Sequence, residues 1–181
     1  MKFLKQFLIL IVAFVCIILV VALFVKKDYN IYRTTEISRN KDDVFDYLKY
    51  LENHEEFTVW TEKDPKTVKS YSGEDGSIGF IYRWESSHEE VGVGEQEITA
   101  IDPGKSIDYE LRFEKPWEMT GNAYFNTAEI SGNKTKVTWG FTGNSPWPWN
   151  IFLLFMDMDA ELGPDLEKGL VNLKTNLEIE E

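Results

Sequence analysis

GPDLEKGLVNLKTNLE, residues 163–178, places Leu166, Leu170, Leu173 and Leu177 at intervals of four, three and four, with charged and amide residues between them. That spacing gathers the leucines on one stripe of an α-helix and leaves the other faces wet. Gly163 and Pro164 are expected to end whatever precedes the helix, with Asp165 capping its new N-terminus. A helix with a single apolar stripe needs a surface to lie on. Residues 29–142 supply one, because they read as short segments alternating apolar and polar side chains. The expected architecture is therefore α+β: an antiparallel sheet of about seven strands curved over a long C-terminal helix.

Working back from the helix, residues 135–142 present Val137, Trp139 and Phe141 on one side, and residues 119–130 precede them across the turn at 131–134. Residues 106–113 alternate most cleanly, with Ile107, Tyr109, Leu111 and Phe113 on one face and Asp108, Glu110 and Arg112 on the other. Strands at 68–71, 78–84 and 91–101 are each closed by turn chemistry, such as Asp102-Pro103-Gly104. A first strand at 29–37 is separated from these by a short helix, with Asn40 as N-cap, Asp42 and Asp43 in its first turn, and Val44, Phe45, Tyr47, Leu48 and Leu51 as its apolar face. A helical turn or loop at 54–60 carries Phe57 and Trp60, and Asp64-Pro65 ends it. Residues 144–150, with Pro146 and Pro148 among tryptophans, must be a loop or rim. The apolar run 151–162 that follows reads either as an adaptable lid containing Met156 and Met158 or as a plug for one end of the core.

The chain opens on a different pattern. Residues 7–25 contain no charged side chain and are flanked by Lys2 and Lys5 on one side and Lys26 and Lys27 on the other. At about 1.5 Å per residue such a run just crosses a hydrocarbon layer about 30 Å thick. Leu23, Phe24 and Val25 are bulky where a cleavage site would need small residues, which favours a retained single-pass anchor over a cleaved leader. The expected organisation is an anchor at 1–27 and a folded domain at 28–181. Lysines on both flanks select no orientation. The formal net charge is −12; four of the 19 basic residues lie within residues 1–27, leaving 15 against 31 acidic, a balance of −16. A domain so acidic is repelled by phosphate backbones, which excludes nucleic acid as a partner. Cys16 is the sole cysteine and lies in the apolar segment, so no disulfide can form within the chain.

Particular residues carry a resemblance to a known family. They are Val44-Phe45 with Tyr47-Leu48, Trp60, Asp64-Pro65, Tyr71 and Gly73, Gly76 to Gly79, Trp84, Gly92 to Gln96, Thr135 to Trp139, Met156 to Asp159, and Glu167 to Leu170 with Leu173-Lys174. Over residues 29–178 the chain resembles the START-like, helix-grip superfamily in its polyketide cyclase/dehydrase, or SRPBCC, branch. Ser38-Arg39-Asn40 departs from the Ala-Pro pair that many members carry before the first helix. The resemblance implies a β-α-α-β6-α layout with an interior cavity for hydrophobic molecules, and an N-terminal membrane helix is a familiar addition in bacterial members. It implies fold more securely than activity, since members include lipid carriers, hormone receptors, cyclases and chaperone regulators.

In such a fold the ligand-binding cavity is expected among Trp60, Tyr82, Trp84, Tyr109, Leu111, Phe113, Trp139, Phe141, Met156 and Leu170, with core packing as the alternative for each. Glu95 and Glu97 are weak catalytic candidates, with Tyr109 as a proton donor. If Val91 and Val93 face inward, both carboxylates enter the cavity, where desolvation would suit them to acid–base work; if Ile98 and Ala100 face inward, both are solvated. His54 and His88 are expected at the surface, and Asp157 and Asp159 on a solvated face. No metal site and no cofactor are expected. Three functions remain open: a membrane-tethered binding module for a lipid-like or isoprenoid-like small molecule, a cyclase, dehydratase or hydrolase with a cavity glutamate as base, and a ligand-free regulator.

Overall fold

The computed structural model describes residues 2–179. Helix α1 (Lys2–Ala22) stands apart from most of the chain, and its Phe3–Ala22 stretch has a mean hydropathy of 2.9. Length and composition are those of a membrane-crossing helix, and a signal sequence shares them. Strand β1 (Asp28–Ile37) follows, then α2 (Lys41–Leu48), a 3-10 turn (Leu51–Glu56) and the short α3 (Val59–Lys63). The remaining strands are β2 (Val68–Ser72), β3 (Ile81–Glu85), β4 (Val93–Asp102), β5 (Ser106–Lys115), β6 (Met119–Ser131) and β7 (Lys134–Asn144). A second 3-10 turn (Trp149–Leu154) leads into α4 (Met158–Ile179). All seven strands form one antiparallel sheet in the order β1-β7-β6-β5-β4-β3-β2, so the long connection through α2 and α3 joins the two edges. This is the helix-grip arrangement: a curved sheet closed over its C-terminal helix.

Strand register decides which side chains face α4. Ile31, Phe141, Ala123, Tyr109 and Ile98 align in one inward row, and Tyr29, Gly143, Gly121, Leu111, Gln96, Tyr82 and Tyr71 in the next. A third row runs Met119, Phe113, Gly94, Trp84 and Lys69. Glycine at 121 and 94 lets rings lie flat on the sheet, since a Cβ there would stand 2.5 Å from the Phe141 ring and 2.7 Å from that of Trp84. Leu166, Leu170, Leu173 and Leu177 are buried, as the leucine spacing requires, and α4 packs chiefly along β1. Between helix and sheet, Phe57, Phe125 and Trp139 interlock, with Phe125 and Trp139 stacked at 5.1 Å between centroids.

Three expectations need correcting. Gly163 and Pro164 do not break the chain, because α4 runs from Met158 straight through them. Asp157 rather than Asp165 caps this helix, its Oδ1 accepting from the N–H groups of Asp159 (3.0 Å) and Ala160 (3.2 Å). Gly163 is there for clearance: a Cβ would stand 2.0 Å from the Arg33 guanidinium, which crosses to grip Asp159 through two hydrogen bonds of 2.8 and 2.9 Å. Asp165 instead pairs with Lys63 at 2.9 Å. The second correction concerns His54, which is buried rather than on the surface, its Nε2 at 2.8 Å from the Leu48 carbonyl and its ring among Phe57, Tyr109 and Phe125. Burial pushes the imidazole down to about 4, against the lesser pull of the Leu48 carbonyl and the Asp75 charge in the other direction. His88 is exposed, as expected. Last, the run 151–162 does not plug the core along its length: Phe152, Leu154, Phe155 and Met156 lie exposed, and it is Met158 and Leu162, on α4, that pack against the core.

Candidate functional site

Because α4 lies toward β1, part of the concave face over β3 to β5 keeps its side chains partly open, although Ile98, Ile107 and Tyr109 on the same strands are buried. Trp60, Tyr82, Leu111 and Phe113 are half-buried there, and Trp84 is nearly covered. Rings form a continuous line: Tyr71 stacks on Tyr82 at 5.5 Å, Tyr82 meets Trp84 at 5.8 Å, and Trp84 meets Phe113 edge-on at 5.7 Å. The Trp84 indole N–H donates to the Val91 carbonyl at 3.1 Å, which fixes the ring against the β3–β4 loop. Ser86 Oγ donates to Asp64, and Glu90 reaches Lys63 at 3.2 Å, so this loop is tied to α3 as well. The other residues assigned to a cavity are distributed differently. Tyr109, Trp139, Phe141 and Leu170 are buried in the core, whereas Met156 is exposed beyond the end of the sheet.

The phase of β4 settles the position of the two glutamates. Gln96 and Ile98 face inward, so Glu95 and Glu97 lie on the convex side. Ala100, expected inward with Ile98, is exposed because the register shifts between them. Arg112 clasps both acids, its Nε at 2.7 Å from Glu95 and Nη2 at 2.8 Å from Glu97, while Nη1 reaches Glu110. Those three carboxylates raise the guanidinium further above its usual range. Tyr109 is on the opposite side of the sheet, donating to the Leu48 carbonyl at 3.3 Å, and burial holds its hydroxyl well above the ordinary tyrosine range. An acid–base pair of Tyr109 with Glu95 or Glu97 is thus not formed: the sheet lies between them.

Two features escaped sequence reasoning. Glu55, from the first 3-10 turn, accepts hydrogen bonds from Lys69 and from the Tyr71 hydroxyl, placing a charged pair at one end of the aromatic line. Burial first, and then the Glu55 carboxylate, raises the Tyr71 and Tyr82 hydroxyls above their ordinary range, so both remain protonated donors. Alternation places Lys69 and Tyr71 on one face of β2, but only pairing with β3 shows that this face holds Tyr82 and Trp84. The other feature is the junction with α1. A groove of about 790 Å³ opens there, lined among others by Val21, Phe24, Tyr29, Leu153, Phe155 and Met156. Asn150 is wholly buried beside it, its amide donating to the carbonyls of Ala22 (2.7 Å) and Val25 (2.9 Å). The Trp147 indole donates to Leu19 (3.2 Å), and the Ser145 N–H donates to Lys27 (2.8 Å). The last carbonyls of a helix have no partner within it, and Trp147 and Asn150 satisfy those of Leu19 and Ala22 from 128 residues along the chain, while the bonds to Val25 and Lys27 fix the segment that leads from α1 to β1.

Solved structures with this fold are diverse. The chain is similar to the Aha1 dimer from Colwellia psychrerythraea, at 19% identity and a TM-score of 0.57 over 83% of this chain and 97% of that one. It is similar to StfQ, a di-domain ARO/CYC from the steffimycin biosynthetic pathway, at 11% identity and a TM-score of 0.60 over 84% of this chain and 51% of that one. A norcoclaurine synthase from Thalictrum flavum, at 9% identity and a TM-score of 0.59, is matched over 82% of this chain and 96% of that one. At such identities the likeness establishes the helix-grip fold alone. No family model matches the chain, and no curated protein matches it either.

Proposed function

We propose that this protein is a binding module that holds a hydrophobic or amphipathic small molecule of lipid or isoprenoid type, with residues 1–27 as its membrane anchor and 28–181 as its binding domain. The observation that carries this reading is the half-open aromatic line from Tyr71 through Tyr82 and Trp84 to Phe113, with Leu111 in the Tyr82 row beside it and Trp60 half-buried against Trp139, on the part of the concave face that α4 leaves uncovered. Covering about 200 Å² of apolar ligand surface there would contribute about 5 kcal/mol at roughly 25 cal/mol per Å². The Glu55–Lys69 pair and the Tyr71 hydroxyl give a polar end group a fixed place to bond. Helix-grip proteins include a synthase and an ARO/CYC by name. Binding is favoured here because the two glutamates nominated as bases face away from the concave side.

The test is native mass spectrometry of the full chain released from detergent after purification from its host membrane, alongside Leu111→Glu. A single reproducible adduct in the wild type that is lost in the variant supports the site. A wild type of bare mass, or an adduct retained by a folded variant, refutes it.

A further inference from the structure

The far end of the chain bonds to α1 at a definite depth. Trp147 reaches the carbonyl of Leu19, inside the Phe3–Ala22 apolar stretch, and Asn150 bonds Ala22 at its end. Whatever depth the end of α1 occupies in a bilayer, the 147–156 segment must share. That segment is made for such a place: Trp147, Trp149, Phe152 and Phe155 are all exposed, with Trp149 and Phe152 stacked at 6.1 Å and Phe155 exposed to 83%. Bulky rings held at the surface have no water-facing rationale, whereas tryptophan at the level of lipid headgroups is favoured by its apolar body and its N–H.

The sheet brings a second contributor to the same level. Gly121 pairs with Gly143, and β6 continues back to Met119, which accepts a weak hydrogen bond from Tyr29 at 3.9 Å. Trp117, in the β5–β6 turn just beyond, is exposed to 79%. It therefore projects from the same end of the sheet as 147–156. This is also the end at which Leu111 and Phe113 lie half-buried.

We infer that Trp117 and residues 147–156 form a collar that seats in the headgroup layer of the bilayer crossed by α1, so that the open end of the concave face meets the lipid directly. This rests on the membrane-tethered part of the function proposed above and deepens it: the ligand class becomes bilayer-resident amphiphiles that enter without crossing water. Attachment is through apolar insertion rather than charge. Beyond Lys26 and Lys27 the domain is strongly acidic, and at this end Glu85 closes β3 while Glu89 and Glu90 occupy the β3–β4 loop. Seating therefore needs no anionic lipid.

The experiment uses the full chain in nanodiscs of zwitterionic phosphatidylcholine brominated close to the carbonyl of one acyl chain. Bromine quenches nearby tryptophan fluorescence; Trp60 and Trp139 in the body of the domain are expected to stay out of its reach, and Trp84 and Trp147 contribute equally to wild type and variant. The expected result is that wild-type quenching falls at least twofold in the Trp117→Phe/Trp149→Phe variant. A second readout labels Phe155→Cys and Gly132→Cys, each in a Cys16→Ser background, with a membrane-impermeant maleimide; Gly132 lies in the turn at the opposite end of the sheet. Cysteine at 155 is expected to react at least tenfold more slowly than at 132. Equal quenching in wild type and variant, equal labelling at the two sites, or a chain that elutes apart from the nanodiscs each overturns the seating. Loss of the mass-spectrometric adduct with quenching and protection retained would refute ligand binding while leaving the collar in place.

Discussion

Acidification should reach this protein through His54. In the folded chain the imidazole is buried, and its pKa is depressed to about 4, while in the unfolded chain it takes its ordinary value of 6.5. Above that value both states are neutral, and the group adds no pH dependence. Between the two values the unfolded chain binds a proton that the folded chain refuses, so stability falls with pH by about 1.4 kcal/mol per pH unit. From about pH 7.5 to about pH 4.5 the loss amounts to about 2–3 kcal/mol, a large part of the 5–15 kcal/mol typical of a whole domain. Carboxylates add to the decline with the same sign. Lys134 lowers Glu36, Arg33 lowers Asp159, and the Ser38 N–H lowers Glu178, so each loses its partner's benefit on protonation. The assay must therefore be differential: urea unfolding of full-length wild type and His54→Gln in a mild detergent, followed by circular dichroism at both pH values. Glutamine can donate to the Leu48 carbonyl and does not titrate, so the variant, whatever its stability at neutral pH, should lose about 2–3 kcal/mol less than wild type on acidification. Parallel losses would refute the reasoning and place His54 where protons reach it.

Other outcomes follow from particular contacts. Gly169→Ala should cost about 1–3 kcal/mol in urea unfolding, because the new methyl would stand 2.6 Å from the Trp139 ring that α4 rests on. An unchanged midpoint would mean that the ring has room to move. Arg112→Gln leaves Glu95, Glu97 and Glu110 facing one another, and should destabilise by about 1–2 kcal/mol at low ionic strength, an effect that shrinks in high salt; a salt-independent loss would point to packing instead. Asn150→Ala removes the amide bonds to Ala22, the last residue of α1, and to Val25 just beyond it, at a cost of about 1–3 kcal/mol, and should broaden the distances between spin labels on α1 and β7 in pulsed electron–electron resonance. A distribution as narrow as in wild type would show that Trp147 and Ser145 suffice.

The parts that sequence made legible are those in which periodicity and burial agree. Leu166, Leu170, Leu173 and Leu177 placed the helix, and alternation in β5 separated Tyr109 from Arg112 because one of its faces is dry and the other wet. Pro164 misled because proline weakens a helix only by its local cost, and here that cost is outweighed by the Asp157 cap, the Arg33 clasp and the packing of half-buried Leu162 and buried Leu166 on the core. His54 was hidden by its neighbours: Asn53, Glu55 and Glu56 make a polar string in which nothing marks one residue as turned inward. The phase of β4 depended on a bulge, and a one-residue slip exchanges the two faces of a strand. As for the candidate site, its aromatic members other than Tyr71 could be named one by one, but which remained open depended on α4 lying over β1. That is a tertiary choice with no local signature.

The order of strands leaves two edges, β1 and β2, and they are protected in different ways. Along β1, side chains have taken the bonds that an incoming strand would need: Lys174 holds the Glu36 carbonyl (2.8 Å), Arg33 the Tyr32 carbonyl (2.9 Å), and Glu178 the Ser38 N–H (2.6 Å). Strand β2 is only five residues long and carries a lysine whose charge is already engaged. Proteins crowded along a surface in a common orientation meet edge to edge far more often than free ones do, and an unguarded strand would invite end-to-end polymerisation. Here one rim is largely occupied by its own side chains and the other is short, so neither edge offers a ready template to a neighbouring sheet.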